Sequence, residues 1–262
     1  MSSLTRKEAN FLSQLAEQGA SVFTIEQAQA LWTPTERTRD ALHRLTQKGW
    51  LSRLERGVYL LIPLEAGPGR AWTENGWVIA QHLISPAAIA YWSALHYWNL
   101  TEQIPQEIFV QSTRRKRPAE IAGVRFHFIT IIEKRFFGIV AQSAAGKTIR
   151  VTDLEKTLVD CAARPELSGG IRQLAQALRS VGEQLNWTQL DQYLIRWGGG
   201  AVVKRLGFLI EVLRLPGQAE RLLRWQALVK KGISPLEPGA ISHGPVRTRW
   251  QLCINVPIAG NE

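Results

Sequence analysis

Three times before position 37 a threonine is followed three residues later by Glu or Gln: Thr5/Glu8, Thr24/Gln27 and Thr33/Glu36. Each is a capping box. The hydroxyl accepts from a free N–H of the first helical turn while the acid or amide reaches back to the cap N–H. Gly19 and Gly49 stand where the first and third helices must stop, because glycine takes the left-handed conformation that closes a helix. Pro34 falls at the first helical position of the third, where its missing N–H costs nothing. These marks predict helices near 6–18, 25–31 and 34–48, the last two joined by a very short turn at Trp32-Thr33. Beyond Gly49 the runs Trp50–Leu54 and Val58–Ile62 are rich in β-formers and flank Glu55-Arg56-Gly57, which predicts a hairpin. Three helices, a tight turn before the third and a hairpin, from Thr5 to Pro63, make a winged helix-turn-helix. DNA binding follows as the expectation, with a transcriptional repressor as the kind of protein.

Leu64-Glu-Ala-Gly-Pro-Gly-Arg70 has the composition of a linker and divides the chain into residues 1–66 and 71–262. Pro86 to Leu100 reads as helix, and Glu107–Gln111, Val124–Ile129 and Thr148–Val151 read as strands. Thr152/Glu155 is a fourth capping box, opening a helix to about Ala163. Helices follow near 170–182, 188–197, 201–214 and 218–230, and a β-like stretch runs from Val246 to Val256. The fold class is therefore α+β, a winged helix-turn-helix followed by a larger mixed α/β domain.

The third helix has its apolar stripe at Thr38, Ala41, Leu42 and Leu45, which leaves its basic residues outward. In a helix-turn-helix the N-terminal half of this helix enters the major groove, so Thr35, Arg37 and Arg39 are the candidates for reading bases. His43 lies on the same outward surface. Arg44, Lys48, Arg53 and Arg56 are placed to meet phosphates, Arg56 from the wing tip. The net charge of +10 suits a polyanionic partner. Yet residues 1–66 carry eight Lys/Arg against seven Asp/Glu, and the remainder 24 against 15, so the excess lies outside the winged helix. Its densest part is Arg114, Arg115, Lys116 and Arg117 after a strand, with Lys134 and Arg135 after the next. Such adjacent cations meet either nucleic acid phosphates or an acidic protein.

Enzyme signatures fail one by one, and no catalytic residue, metal or cofactor is expected. Gly146-Lys147-Thr148 ends like a P-loop, but Ala141 stands where the first glycine belongs and a strand follows instead of a helix. Asp153, Glu155 and Lys156 resemble a nuclease fragment, without the carboxylate-x-lysine strand such enzymes place beside the metal. His43, His82, His96, His127 and His243 lack ligand spacing, and Cys161 shares a face with Leu154 and Leu158 as a core residue would. Gly198-Gly-Gly200 before a helix is either an anion-binding nest or a flexible helix start. Two cysteines, no apolar run of about 18 residues and no apolar stretch behind the N-terminal charges predict a cytoplasmic protein without membrane contact.

Val151-Thr-Asp-Leu-Glu-Lys-Thr-Leu-Val-Asp160, Arg164-Pro165 and Gly169-Gly170-Ile171 resemble a motif block of the AbiEi family of bacterial antitoxins. Trp92–Leu95, Glu107–Gln111, Ala201–Glu211 and the ending Pro235–Pro238, Gly244, Arg249–Leu252 and Asn255 fit the same family in order. The resemblance implies a type IV toxin–antitoxin system with a role in phage defence. In it the winged helix represses its own operon through repeats upstream, and the larger domain supplies antitoxin activity. The implied toxin is nucleotidyltransferase-like and is countered without a stable complex. Glu237 stands where the family pattern has Asp and is given no role. Two other classes compete: a winged-helix transcription factor with a C-terminal effector-binding domain, and a nucleic-acid enzyme targeted by the winged helix.

Overall fold

The computed structural model describes residues 3–67, 72–241 and 243–258, the side chain of Glu36 excepted. The first two capping boxes form as predicted. Glu8 N donates to Thr5 Oγ1 (3.3 Å) and Thr5 N to Glu8 Oε2 (2.8 Å), opening α1 (Arg6–Glu17). Thr24 and Gln27 do the same for α2 (Ile25–Leu31), directly after an unpredicted strand β1 (Val22–Thr24). The third box needs correction. Pro34 is extended (ψ 147°), Thr35–Arg37 make a 3-10 turn, and the regular helix α3 spans Thr38–Gln47. Thr38 Oγ1 donates to Thr35 O (2.7 Å), so this hydroxyl, and not that of Thr33, binds the first turn; the side chain of Glu36 lies outside the described residues. The predicted hairpin is β2 (Leu51–Glu55) and β3 (Val58–Leu61), in a sheet of order β1-β3-β2. Phe11, Leu15, Phe23, Leu42 and Leu45 form the core beneath it, with the Phe11 ring edge-on to Phe23 and Trp32.

One carboxylate ties α1 to α3. Glu8 is 1% exposed and meets Lys48 Nζ at 2.8 Å, with Arg44 Nε at 3.7 Å. Burial raises its pKa, but Lys48 and the Thr5 backbone and hydroxyl outweigh burial and hold it below the usual value of 4.5. A carboxylate shifted this way stabilises the fold above its unfolded pKa, and that stability is lost as pH falls through the lowered folded value. Glu8→Gln should therefore lower the melting temperature at pH 7, with the gap to the native protein closing as pH falls below 4.5. A gap independent of pH would leave Glu8 a packing role alone.

Of the predicted linker, Leu64–Ala66 make a 3-10 turn, and 68–70 lie outside the described residues. The chain then forms α4 (Gly76–Leu83), which the sequence did not reveal, capped by Asn75 Oδ1 accepting from Trp77 N at 2.9 Å. The helix expected over 86–100 shrinks to α5 (Tyr91–Tyr97), because β4 (Ala88–Ile89) pairs with a strand on either side. Those neighbours are β5 (Glu107–Ser112) and, after β6 (Ala119–Ile121), β7 (Val124–Thr130) and β8 (Ile139–Ala144), the strand β9 (Lys147–Thr152). The six-stranded sheet has order β6-β7-β5-β4-β9-β8. Ala145 and Gly146, both at positive φ, turn the β8–β9 hairpin, so the P-loop look-alike is a two-residue turn. β5 and β7 run parallel with Ser112 opposite Thr130, so both chains leave the sheet at one edge.

A helical layer builds around α6 (Leu154–Ala163), which contacts α5: α7 (Gly170–Ser180), α8 (Trp187–Trp197) and α9 (Ala201–Val212) pack on α6, and α10 (Ala219–Gln226) packs on α9. The cap of α6 is Asp153, whose Oδ1 accepts from Lys156 N (2.8 Å), while Thr152 Oγ1 bonds Thr157 Oγ1 (2.8 Å) inside the core; the predicted box is shifted by one residue. Glu237, given no role by sequence, accepts from Ile171 N at 2.6 Å in the first turn of α7. The C-terminal stretch is broken by the turn Thr248–Trp250. A small sheet remains: β10 (Ser234–Pro235), β11 (Val246–Arg247) and β12 (Leu252–Cys253), in order β10-β12-β11. Cys161 is wholly buried as expected, and burial pushes its thiol up to about 12.

The two parts share packing. Val22, Val58, Leu60 and Ile62 of the wing belong to one apolar cluster with Val78, Ile79 and Leu83 of α4. Lys116 Nζ meets Glu55 at 2.8 Å and Lys147 Nζ donates to Gly19 O at 2.6 Å, so two cations of the larger part grip the winged helix.

Candidate nucleic-acid interface

The stripe Thr38, Ala41, Leu42 and Leu45 is buried against α1 and α2, which turns the opposite face of α3 outward. Thr35, Arg37, Arg39, His43 and Arg44 are exposed on that face or in the turn before it, and Arg53 and Arg56 are exposed on the hairpin. Lys48 departs from its expected place. Its ammonium is held by Glu8 Oε2 and Ser3 O (3.0 Å), so it fastens α1 to α3 and is not free toward a phosphate.

Arg39, His43 and Thr46 form one wall of a trough of about 710 Å3, and Arg53 and Arg56 form another. Its floor includes Thr24 and, from the larger part, His82 and Leu83 at the end of α4. The same three floor residues also line a second hollow of about 620 Å3, whose far wall is Arg114, Arg115 and Lys116. The recognition face and the basic loop thus line two adjacent hollows that share Thr24, His82 and Leu83. His82 was seen in the sequence only as a scattered histidine. Burial holds its pKa below the usual 6.5, so at neutral pH it is an uncharged floor residue.

The six basic residues grouped by sequence are divided by the structure. Arg114 and Arg115 are exposed at the second hollow, and Arg117 is exposed on the same loop. Lys116 is drawn inward to Glu55, its ammonium 5.5 Å from the Phe128 ring centroid. Lys134 is exposed in the turn after β7, whereas Arg135 folds over the Trp197 ring and lines a different cavity. The loop reaches the second hollow because β5 and β7 end together: Ile131 N donates to Ser112 O (2.9 Å) and Thr130 Oγ1 to Arg114 O (3.4 Å).

Residues 10–62 match a family model described as a transcriptional regulator, AbiEi antitoxin. The match lies within the winged helix. It runs from within α1 to the end of the hairpin and includes every base-reading candidate. No curated protein sequence matches the chain. The crystal structure of the RV2827C protein from Mycobacterium tuberculosis is similar over 95% of this chain and 92% of that chain, with TM-score 0.66 and 18% identity. At that identity the likeness establishes a common fold, winged helix and larger part together.

Charge reversal at Arg114, Arg115 and Arg117, leaving Lys116 on Glu55, should weaken binding to duplex DNA and flatten its salt dependence. Each lost phosphate contact removes about 0.9 from the slope of log K against log salt. Lys48→Gln should lower the melting temperature with the slope intact. A slope unchanged by the loop reversal would confine contact to the winged helix.

Proposed function

We propose that the chain is a DNA-binding antitoxin and autorepressor, which reads repeats upstream of its own operon and counters a nucleotidyltransferase-like toxin in a type IV system. The observation that supports it best is that the α3 face and hairpin line one hollow, Arg114 and Arg115 line another, and Thr24, His82 and Leu83 border both. A winged helix that is almost neutral overall draws the missing phosphate-binding charge from the larger part. The base contacts are assigned to Thr35, Arg37 and Arg39, the phosphate contacts to Arg44, Arg53, Arg56, Arg114 and Arg115. We assign the protein binding work and no chemical step. Antitoxin activity is assigned to the larger part by family resemblance, acting on what the toxin modifies and without a lasting complex.

Because Val22, Val58 and Leu60 share a core with α4, cutting the chain at the linker would expose apolar surface on both pieces. The two activities are better separated by substitution in the full chain. Arg39→Glu with Arg56→Glu should release a reporter placed behind the operon's promoter, yet still restore growth when the neighbouring toxin gene is induced. Failure of the native full chain to restore growth would sink the antitoxin reading and leave a winged-helix regulator.

A further inference from the structure

Where β7 gives way to the turn Glu133–Arg135, the chain passes the start of α9 and leaves a cavity of about 300 Å3 between them. Arg135, Arg164, Gly199 and Gly200 line one side, and Ile131 and Ile132 another. The cavity is distinct from the trough and shares no lining residue with it.

Its basic side is built for an anion. Arg135 lies over the Trp197 ring, 4.3 Å from the centroid, and its Nε is buried with no hydrogen-bond partner. That nitrogen is out of reach of a ligand, and it is the rest of the Arg135 side chain that borders the cavity. Gly198, Gly199 and Gly200 all hold positive φ (87°, 75° and 84°), a backbone that L side chains rarely adopt and that leads into the 12-residue helix α9. The first turn of α9 has no side-chain cap, so no capping side chain answers its N–H groups or the positive end of its dipole. Arg164 adds a second guanidinium, whose Nε is engaged by Glu166.

We propose that this cavity binds a phosphate monoester, held by Arg135, Arg164 and the N–H groups at the start of α9, with the organic part on Ile131 and Ile132. A carboxylate offers two oxygens and one charge. A phosphate monoester offers three oxygens and nearly two charges, which matches two guanidinium groups and a helix start. The volume lies at the small end of the range for small-molecule sites, about 300–1,000 Å3, and suits a mononucleotide or the phosphorylated end of a nucleic acid strand. The site does not depend on the DNA-binding proposal, since none of its residues borders the trough.

The test is calorimetric titration of the full chain with inorganic phosphate, adenosine 5′-monophosphate, and a single-stranded hexanucleotide with and without a 5′-phosphate. Phosphate and the monophosphate should bind, and Arg135→Gln should weaken them about tenfold or more. A free nucleotide as the natural ligand gives tighter binding of the monophosphate than of the hexanucleotide. A strand end gives a preference for the 5′-phosphorylated hexanucleotide that Arg135→Gln removes. Ala201→Asp places a carboxylate at the first position of α9, where the dipole favours it. It should keep or raise the melting temperature while abolishing phosphate binding. Binding that survives both substitutions, or no binding of any phosphate compound at millimolar concentration, would overturn the proposal.

Discussion

The pairing of Lys156 with Asp160, one turn apart on α6 and both without solvent exposure, is the contact on which the larger part depends. Stripping two charges of water is offset only when geometry is good and the remaining donors and acceptors are satisfied. Gln111 of β5 meets that condition, donating to Asp160 Oδ2 at 2.7 Å with its own oxygen 3.5 Å from Lys156 Nζ. Burial drives the Asp160 pKa upward and the Lys156 charge opposes it. The network continues through Asp153, which accepts from Tyr193 Oη (2.6 Å) and Gln189 Nε2 (3.0 Å), joining α8 to the cap of α6. Gly138 sits against it at positive φ, where a Cβ would lie 2.8 Å from that of Lys156. Sheet and helical layer are thereby held in one register, and the next residue after Gln111, Ser112, is where the chain leaves β5 for the basic loop. A structural network thus fixes the position of Arg114 and Arg115.

Much of the winged helix was legible because its signals are local. A Thr-x-x-Glu pair is satisfied or not within one turn, whatever lies elsewhere in the chain. The same logic misplaced the start of α3, where Pro34 is extended and a 3-10 turn intervenes. It also misread α6, where Asp153 and Thr152 compete for the cap and the aspartate prevails because Thr152 is claimed by Thr157. The sheet was harder to read for the opposite reason. Ala88–Ile89 makes a strand only because partners 21 to 23 and 62 residues further on lie beside it, and alone it resembles the start of a buried helix. The motif Val151–Asp160 was recognised by resemblance, and its content is structural. Thr152, Asp153, Lys156, Thr157 and Asp160 are all buried polar groups with partners in the core.

The site was legible in its members and not in its shape. Arg39, Arg53 and Arg56 stood out as exposed bases on the right elements, but nothing local says that Lys48 is consumed by Glu8, 40 residues earlier, or Lys116 by Glu55, 61 residues earlier. Nor does it say that Arg135, near Lys134 in sequence, turns onto Trp197. These are long-range pairings, set by how the wing docks on α4 and how α8 closes over the turn after β7.

Screening sharpens the consequence for function. At physiological salt, exposed charges more than about 8 Å apart largely cease to feel one another, so the excess positive charge of residues 67–262 is no general attraction spread over the molecule. Of the cations of the larger part, Arg114 and Arg115 line the hollow that adjoins the trough beneath the α3 face. The docking of the wing is what gives them that place. Were the winged helix free on its linker, Glu55 would lose Lys116, and the basic loop would have no fixed relation to the recognition helix. The cations that the fold turns elsewhere, Arg135 and Arg164, gather instead around the uncapped start of α9. One charge excess in the sequence therefore resolves into two separate anion-facing surfaces, divided by the edge of the sheet where β5 and β7 end.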